Sequence, residues 1–123
     1  MNYLHIFSSF STHRFEESIT FYRDVLGLEV EVRGERFLHV DLGEGTTIVI
    51  YHKPDHQPAD YTVLNIQCTD IKMQVEALTA KGIAFGQYEA FQTDAQGISW
   101  DDQGSHLAWF KDPGGNIVAL IEH

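Results

Sequence analysis

The strongest constraint on this chain is a repeated order of pattern elements. A strand-like run (residues 3–10) is followed by apolar residues at helical spacing, Phe15, Ile19, Tyr22 and Leu26, closed by Gly27. Three strand-like runs follow, "LEVEVR", "RFLHVDL" and "TTIVIYH", punctuated by Gly34 and "GEG" as hairpin turns. The order then recurs. "YTVLNIQC" reads as a strand, Asp70 as the N-cap of a helix with Ile71, Val75 and Leu78 on one face, and Lys81-Gly82 as its end. "IAFGQYE", "SHLAWFK" and "NIVALIE" supply three more strands. The expected fold is α+β, two tandem βαβββ units over residues 1–57 and 58–123 of a single domain.

Spacing supports a duplication. Gly27 to Gly82 is 55 residues, Phe7 to Val63 is 56, and Asp41 to Asp112 is 71, so the second unit carries about 16 extra residues. They are expected in the loop "FQTDAQGISWDDQG", residues 91–104, with Trp100 inside it. A loop of that length is functional or disordered more often than neutral. Trp100 reads either as part of a lid over a cavity or as a side chain packed on the domain or a partner subunit.

Composition narrows the function. Eight Lys and Arg against 18 Asp and Glu give a net charge of −10, with no basic cluster to neutralise phosphates, so a nucleic-acid partner is not expected. The acidic excess serves solubility, and it also attracts cationic ligands. No run of 18 apolar residues and no leader pattern is present, so no membrane role and a cytoplasmic location are expected. The lone Cys68 fits a reducing compartment. GxSxG, CxxC and phosphate-cradling Gly-rich motifs are absent from the sequence.

Two stretches carry a family resemblance. "FEESITFYRDVLGLEV" (residues 15–30) resembles the first helix motif of the vicinal-oxygen-chelate superfamily, the glyoxalases, bleomycin-resistance proteins and extradiol dioxygenases. "AWFKDPGGNIVALIE" (residues 108–122) resembles the closing hairpin of the same superfamily. The resemblance implies that each unit forms a cupped half-barrel, that the cup holds the site, and that the protein is a homodimer. It also implies, for the metal enzymes, one divalent ion held by His, Glu or Gln from the first and last strands of each unit.

Strand alternation says which residues face that cup. Leu4 and Ile6 are expected to face the helices and His5, Phe7 and Ser9 the cup. Ile48 and Ile50 face out, leaving Thr47, Val49 and Tyr51 inside. Leu64, Ile66 and Cys68 face out, leaving Tyr61, Val63, Asn65 and Gln67 inside. Val118 and Leu120 face out, leaving Ile117, Ala119 and Ile121 inside. Counting from the two motifs, the resemblance puts its metal-ligand positions on Phe7, Val49, Val63 and Ala119. None of these side chains coordinates a metal. Glu122 has the opposite parity and is expected to point away.

The expected function is therefore metal-independent binding of a small organic ligand, cationic or aromatic, in a sequestration or resistance role, with no cofactor and no catalytic residue. Its binding residues would be Phe7, Ser9, Thr47, Val49, Tyr51, Val63, Asn65, Gln67, Trp100 and Ala119. The alternative is a lyase, isomerase or dioxygenase with a displaced metal site using His5, His39 or His106. Lactoylglutathione lyase chemistry is not expected, because the cup offers neither a metal-bound enediolate site nor a carboxylate base. His13, His52, His56 and His123 are expected to be exposed, and Cys68 to be a buried, inert thiol.

Overall fold

A computed structural model describes residues 1–88 and 92–123. The chain divides into two compact units, Met1–Pro58 and Ala59–His123. Each carries one four-stranded mixed sheet.

In the first unit, strand β1 (Ser8–Thr12) leads into helix α1 (Phe15–Thr20), which widens into a π-helical turn over Phe21–Val25. Strands β2 (Glu29–Arg33), β3 (Phe37–Gly43) and β4 (Thr46–His52) complete the unit, in sheet order β1-β4-β3-β2. β1 runs parallel to β4, with Ser9 beside Val49 and Phe10 beside Ile50. Phe10, Leu38, Val40, Ile48 and Ile50 share the helix-side face, where Phe10 meets the fully buried Tyr22 at a ring separation of 6.5 Å. On the same face the Ser18 hydroxyl donates to Thr12 Oγ1 over 3.0 Å. Ser9, Thr47, Val49 and Tyr51 therefore lie on the opposite, open face, as the alternation predicts.

β1 begins later than the sequence suggests. Residues 3–7 have a strand-like pattern but form no strand: pairing begins at Ser8 beside Ile48, and although β4 reaches back to Thr46, only residues 3–5 lie beyond its start in that register. Phe7 and His5 thus precede the strand, and Leu4 and Ile6 stand in solvent rather than under a helix.

The second unit repeats the plan. Strand β5 (Thr62–Gln67), helix α2 (Ile71–Ala80), and strands β6 (Ser99–Trp100), β7 (His106–Lys111) and β8 (Ile117–Glu122) give sheet order β5-β8-β7-β6. Helix α2 buries Ile71 and Val75 and packs over β7 and β8, whose Ala108, Phe110, Val118 and Leu120 are almost wholly buried. Residues 83–88 of "IAFGQYE" form no strand. They run irregularly, held to β7 by the Gly86 N–H on the Trp109 carbonyl at 2.8 Å and by Phe85 edge-on to Phe110. The edge strand is instead the two-residue β6, inside the stretch expected to be a loop. The added length of the second unit hence falls between α2 and β6, ahead of the position read from the sequence.

The N-terminus of α2 is closed from two sides. The Asp70 side chain accepts from Met73 N at 3.2 Å, the predicted cap. Across the unit, the Glu122 carboxylate accepts from Asp70 N at 2.6 Å and Ile71 N at 3.3 Å. It places a negative charge on the positive end of the helix and holds Asp70 in the left-handed region, φ 52°, which a non-glycine residue adopts only under constraint. Glu122 does point to the helix side, as its parity predicts. Replacing it by Ala should lower unfolding free energy by about 1 kcal/mol, read as a lower denaturant midpoint at unchanged slope, with Glu122→Gln milder.

Candidate functional site

The turns around the second sheet repeat one local motif. Asp94-Ala95-Gln96-Gly97, Asp101-Asp102-Gln103-Gly104 and Asp112-Pro113-Gly114-Gly115 each place Asp first and a glycine with positive φ fourth. In each, the Asp Oδ1 accepts from the backbone N–H two and four residues on. Those distances are 2.9 and 3.0 Å for Asp94, 2.9 and 2.9 Å for Asp101, and 2.9 and 2.9 Å for Asp112. In each, the Asp N–H also donates to the carbonyl four residues on, at 2.9 Å. The carboxylate satisfies N–H groups that a chain reversal would otherwise leave open.

Two of these turns flank Ser99–Trp100. The stretch expected to be either a lid or a packed loop is, over its described residues, an ordered edge: two Asp-x-x-Gly turns with the short β6 between them, pinned by a bridge from Thr93 to Ser99. Phe91, the first residue of that expected loop, lies outside the described residues.

Trp100 lines a cleft of about 910 Å³ in the second unit. Its floor is the open face of the sheet: Asn65 and Thr62 from β5, Leu107 and Trp109 from β7, and Ile117 from β8. Tyr88 stands edge-on to Trp109, ring centroids 5.4 Å apart. Tyr61, Trp100 and Gln92 form other walls, and Ser99, Asp60, Asp101 and Asp102 complete the lining. Trp109 is nearly buried, whereas Tyr61 and Trp100 keep 67% and 50% of their surface exposed; on β6 Ser99 stands beside Leu107 and Trp100 beside His106 at the sheet edge.

Ala119 is 1% exposed, between Asn65 on β5 and Trp109 on β7. Its small side chain carries no donor or acceptor. Asn65 and Trp100 are the residues from the sequence-based set that line this cleft. Val63 does not, because the pairing of β5 with β8 shifts register between Thr62 and Leu64. This bulge turns Thr62, not Val63, onto the face of Ile117. Gln67 shares the open face beside Ile121 but lies beyond the cleft, and Phe7, Ser9, Thr47, Val49 and Tyr51 belong to the first unit. Trp109 and Leu107 were legible on β7, where they alternate with buried Ala108 and Phe110. Tyr88, Gln92 and the aspartates sit in irregular segments that carry no alternation.

The histidines build no metal-ligating group within either unit among the described residues. His5 stacks on Phe7 at 5.9 Å in the segment before β1, off the strand face expected for it. His39 lies on the open face of β3, between Glu31 on β2 and Val49 on β4, and Glu31 is itself hydrogen bonded to Arg33 at 3.1 Å. Arg33 and, to a smaller extent, His39 hold the Glu31 carboxyl below its usual range. His106 pairs with Glu122 and so shares its helix-side face. His56 is buried rather than exposed: its Nδ1 is bonded to the Ser11 hydroxyl, and its ring stacks on His13 at 5.8 Å. Among the described residues no group of three or more His, Cys, Asp or Glu is placed to hold a metal ion. The residues in register across each parallel pair, Ser9 with Val49 and Asn65 with Ala119, do not fit a divalent ion either. Cys68 is half-buried rather than buried; its partial burial pushes the thiol up, and the Glu122 and Asp70 carboxylates push it further, which disfavours the thiolate.

A profile of the Glyoxalase/Bleomycin resistance protein/Dioxygenase superfamily matches residues 4–120. The chain belongs to this superfamily. Among solved structures it is similar to a superfamily member from Sphaerobacter thermophilus, with 23% identity over 98% of each chain and a TM-score of 0.74. It is similar to a lactoylglutathione lyase from Agrobacterium tumefaciens, with 16% identity over 96% of this chain and 92% of that one and a TM-score of 0.72. It is also similar to TnmS3, an antibiotic-binding protein from Streptomyces sp. CB03234, with 22% identity over 99% and 98% and a TM-score of 0.70. None of the curated proteins matches it in sequence. At these identities the structures establish the fold, which hosts lyases and binding proteins alike. No helix among the described residues is long and apolar enough to cross a membrane.

The turns make Trp100 testable. Asp101→Ala leaves the Gln103 and Ser105 N–H groups without their acceptor and should cost about 1–2 kcal/mol. Acrylamide should then quench Trp100 emission more strongly, with a Trp109→Phe background isolating its signal. Gly97→Ala should cost more than Gly104→Ala: both glycines have positive φ, but a Cβ at Gly97 would also meet Phe85 Cβ at 2.9 Å.

Proposed function

We propose that this protein binds a small organic molecule in the cleft of its second unit, without a metal and without chemistry, in a sequestration or resistance role. The observation that carries the reading is the cleft itself: an aromatic wall with Asn65 facing into it and Ala119 in the floor strand where a metal-binding relative would need a ligand. Membership of a superfamily that includes resistance proteins, and likeness to an antibiotic-binding protein, support it. The displaced-metal alternative draws little from His5, His39 or His106: His39 lies beside Glu31 and His106 beside Glu122, but among the described residues no group of three or more His, Cys, Asp or Glu could hold a metal ion. We read the protein as cytoplasmic, where Cys68 stays reduced, and as a homodimer. The exposed apolar side chains of Tyr3, Leu4, Ile6 and Phe7 support self-association, and light scattering would give the mass.

A thermal-shift screen of aromatic natural products and drugs tests the reading. Hits should raise the melting temperature equally in EDTA and in divalent metal. Trp100→Ala should weaken them by about tenfold, the scale of one stacking contact. Stabilisation that requires a metal, or that ignores Trp100, would count against it.

A further inference from the structure

The cleft is chemically one-sided in a way that names its ligand class. Four aromatic rings, Tyr61, Tyr88, Trp100 and Trp109, and three carboxylates, Asp60, Asp101 and Asp102, line one space, and no Lys or Arg is among the described residues lining it. The three carboxylates are not equivalent. Asp101 Oδ1 is committed to the Gln103 and Ser105 N–H groups. Asp60 and Asp102 take part in no hydrogen bond or ion pair with a described residue.

Resting on the binding reading above, we propose that the ligand is a flat aromatic cation, with its ring against Trp100 and Tyr61 and its charge facing Asp60 and Asp102. Three physical terms act together. A cation over an indole or phenol face gains from the ring quadrupole. Two carboxylates without a partner among the described residues leave their charge for the ligand to neutralise. The chain's net charge of −10 draws cations toward the protein and repels anions. An anionic ligand would meet all three terms with the wrong sign, and a neutral one would gain only from stacking.

Three shape-matched probes separate these cases: N-methylacridinium, which is permanently charged; acridine, which is neutral in mildly alkaline buffer; and acridine carboxylate, which is anionic. Binding is followed by quenching of tryptophan emission on the full chain. N-methylacridinium should bind about tenfold tighter than acridine, and high salt should shrink the difference. The exposed double substitution Asp60→Asn/Asp102→Asn should abolish the preference, so that N-methylacridinium and acridine bind that variant alike. Equal affinity for the three, preference for the anion, or a cation preference that survives the double substitution would overturn the proposal. Acridine binding alone, lost in Trp100→Ala, would overturn the cation class and leave small-molecule binding standing. If none of the three binds, the cation class falls, and the melting screen decides the binding reading separately.

Discussion

The second unit depends on one alternation, that of β8. Val118 and Leu120 must be buried under α2, and with them in place every other side chain on the strand has its face assigned. Glu122 comes to the helix side and closes the end of α2. Ile117 and Ala119 come to the open face, beside Asn65 and Trp109. A slip of one residue would bury Glu122 against the open face and expose Val118 and Leu120, at a cost of several kcal/mol of lost apolar burial. The packing that stabilises this unit is therefore the same constraint that decides what its cleft contains.

The edge of the cleft is set by a second local rule. Asp-x-x-Gly turns before and after Ser99–Trp100 use side-chain oxygens to complete backbone hydrogen bonding in a stretch with only two strand residues. A large aromatic ring is thus held on an ordered turn without being buried. This reduces what a ligand would have to organise on binding. The same device separates the roles of two adjacent aspartates, Asp101 turned inward to the chain and Asp102 left to solvent.

Much of this was readable in the sequence. β4 occupies Thr46–His52, the run "TTIVIYH" itself, and Asp70 caps α2 as its position implies, because strong alternation and a cap side chain are local signals. The first strand was misplaced because residues 3–7 alternate like a strand, yet alternation alone does not say which residues pair, and pairing with β4 begins only at Ser8. β6 was missed because two residues carry no period, and Val63 because a bulge resets parity without changing composition. The open face of β5 was legible in part, through Asn65. The aromatic wall was legible in part, through Tyr61, Trp100 and the alternation that carries Trp109, whereas Tyr88 reaches it from irregular chain. Three copies of Asp-x-x-Gly were in plain view and would have marked residues 94–104 as ordered turns.

The central claim is that the cleft of the second unit accepts an organic ligand with no metal. The most direct measurement is a titration of isotope-labelled, EDTA-treated protein, following the two indole N–H resonances. The account predicts that Trp100, and to a smaller degree Trp109, shift on addition of a screen hit while divalent metal alone moves neither. Shifts that appear only once a metal is supplied, or that centre on His39 and leave Trp100 still, would contradict it.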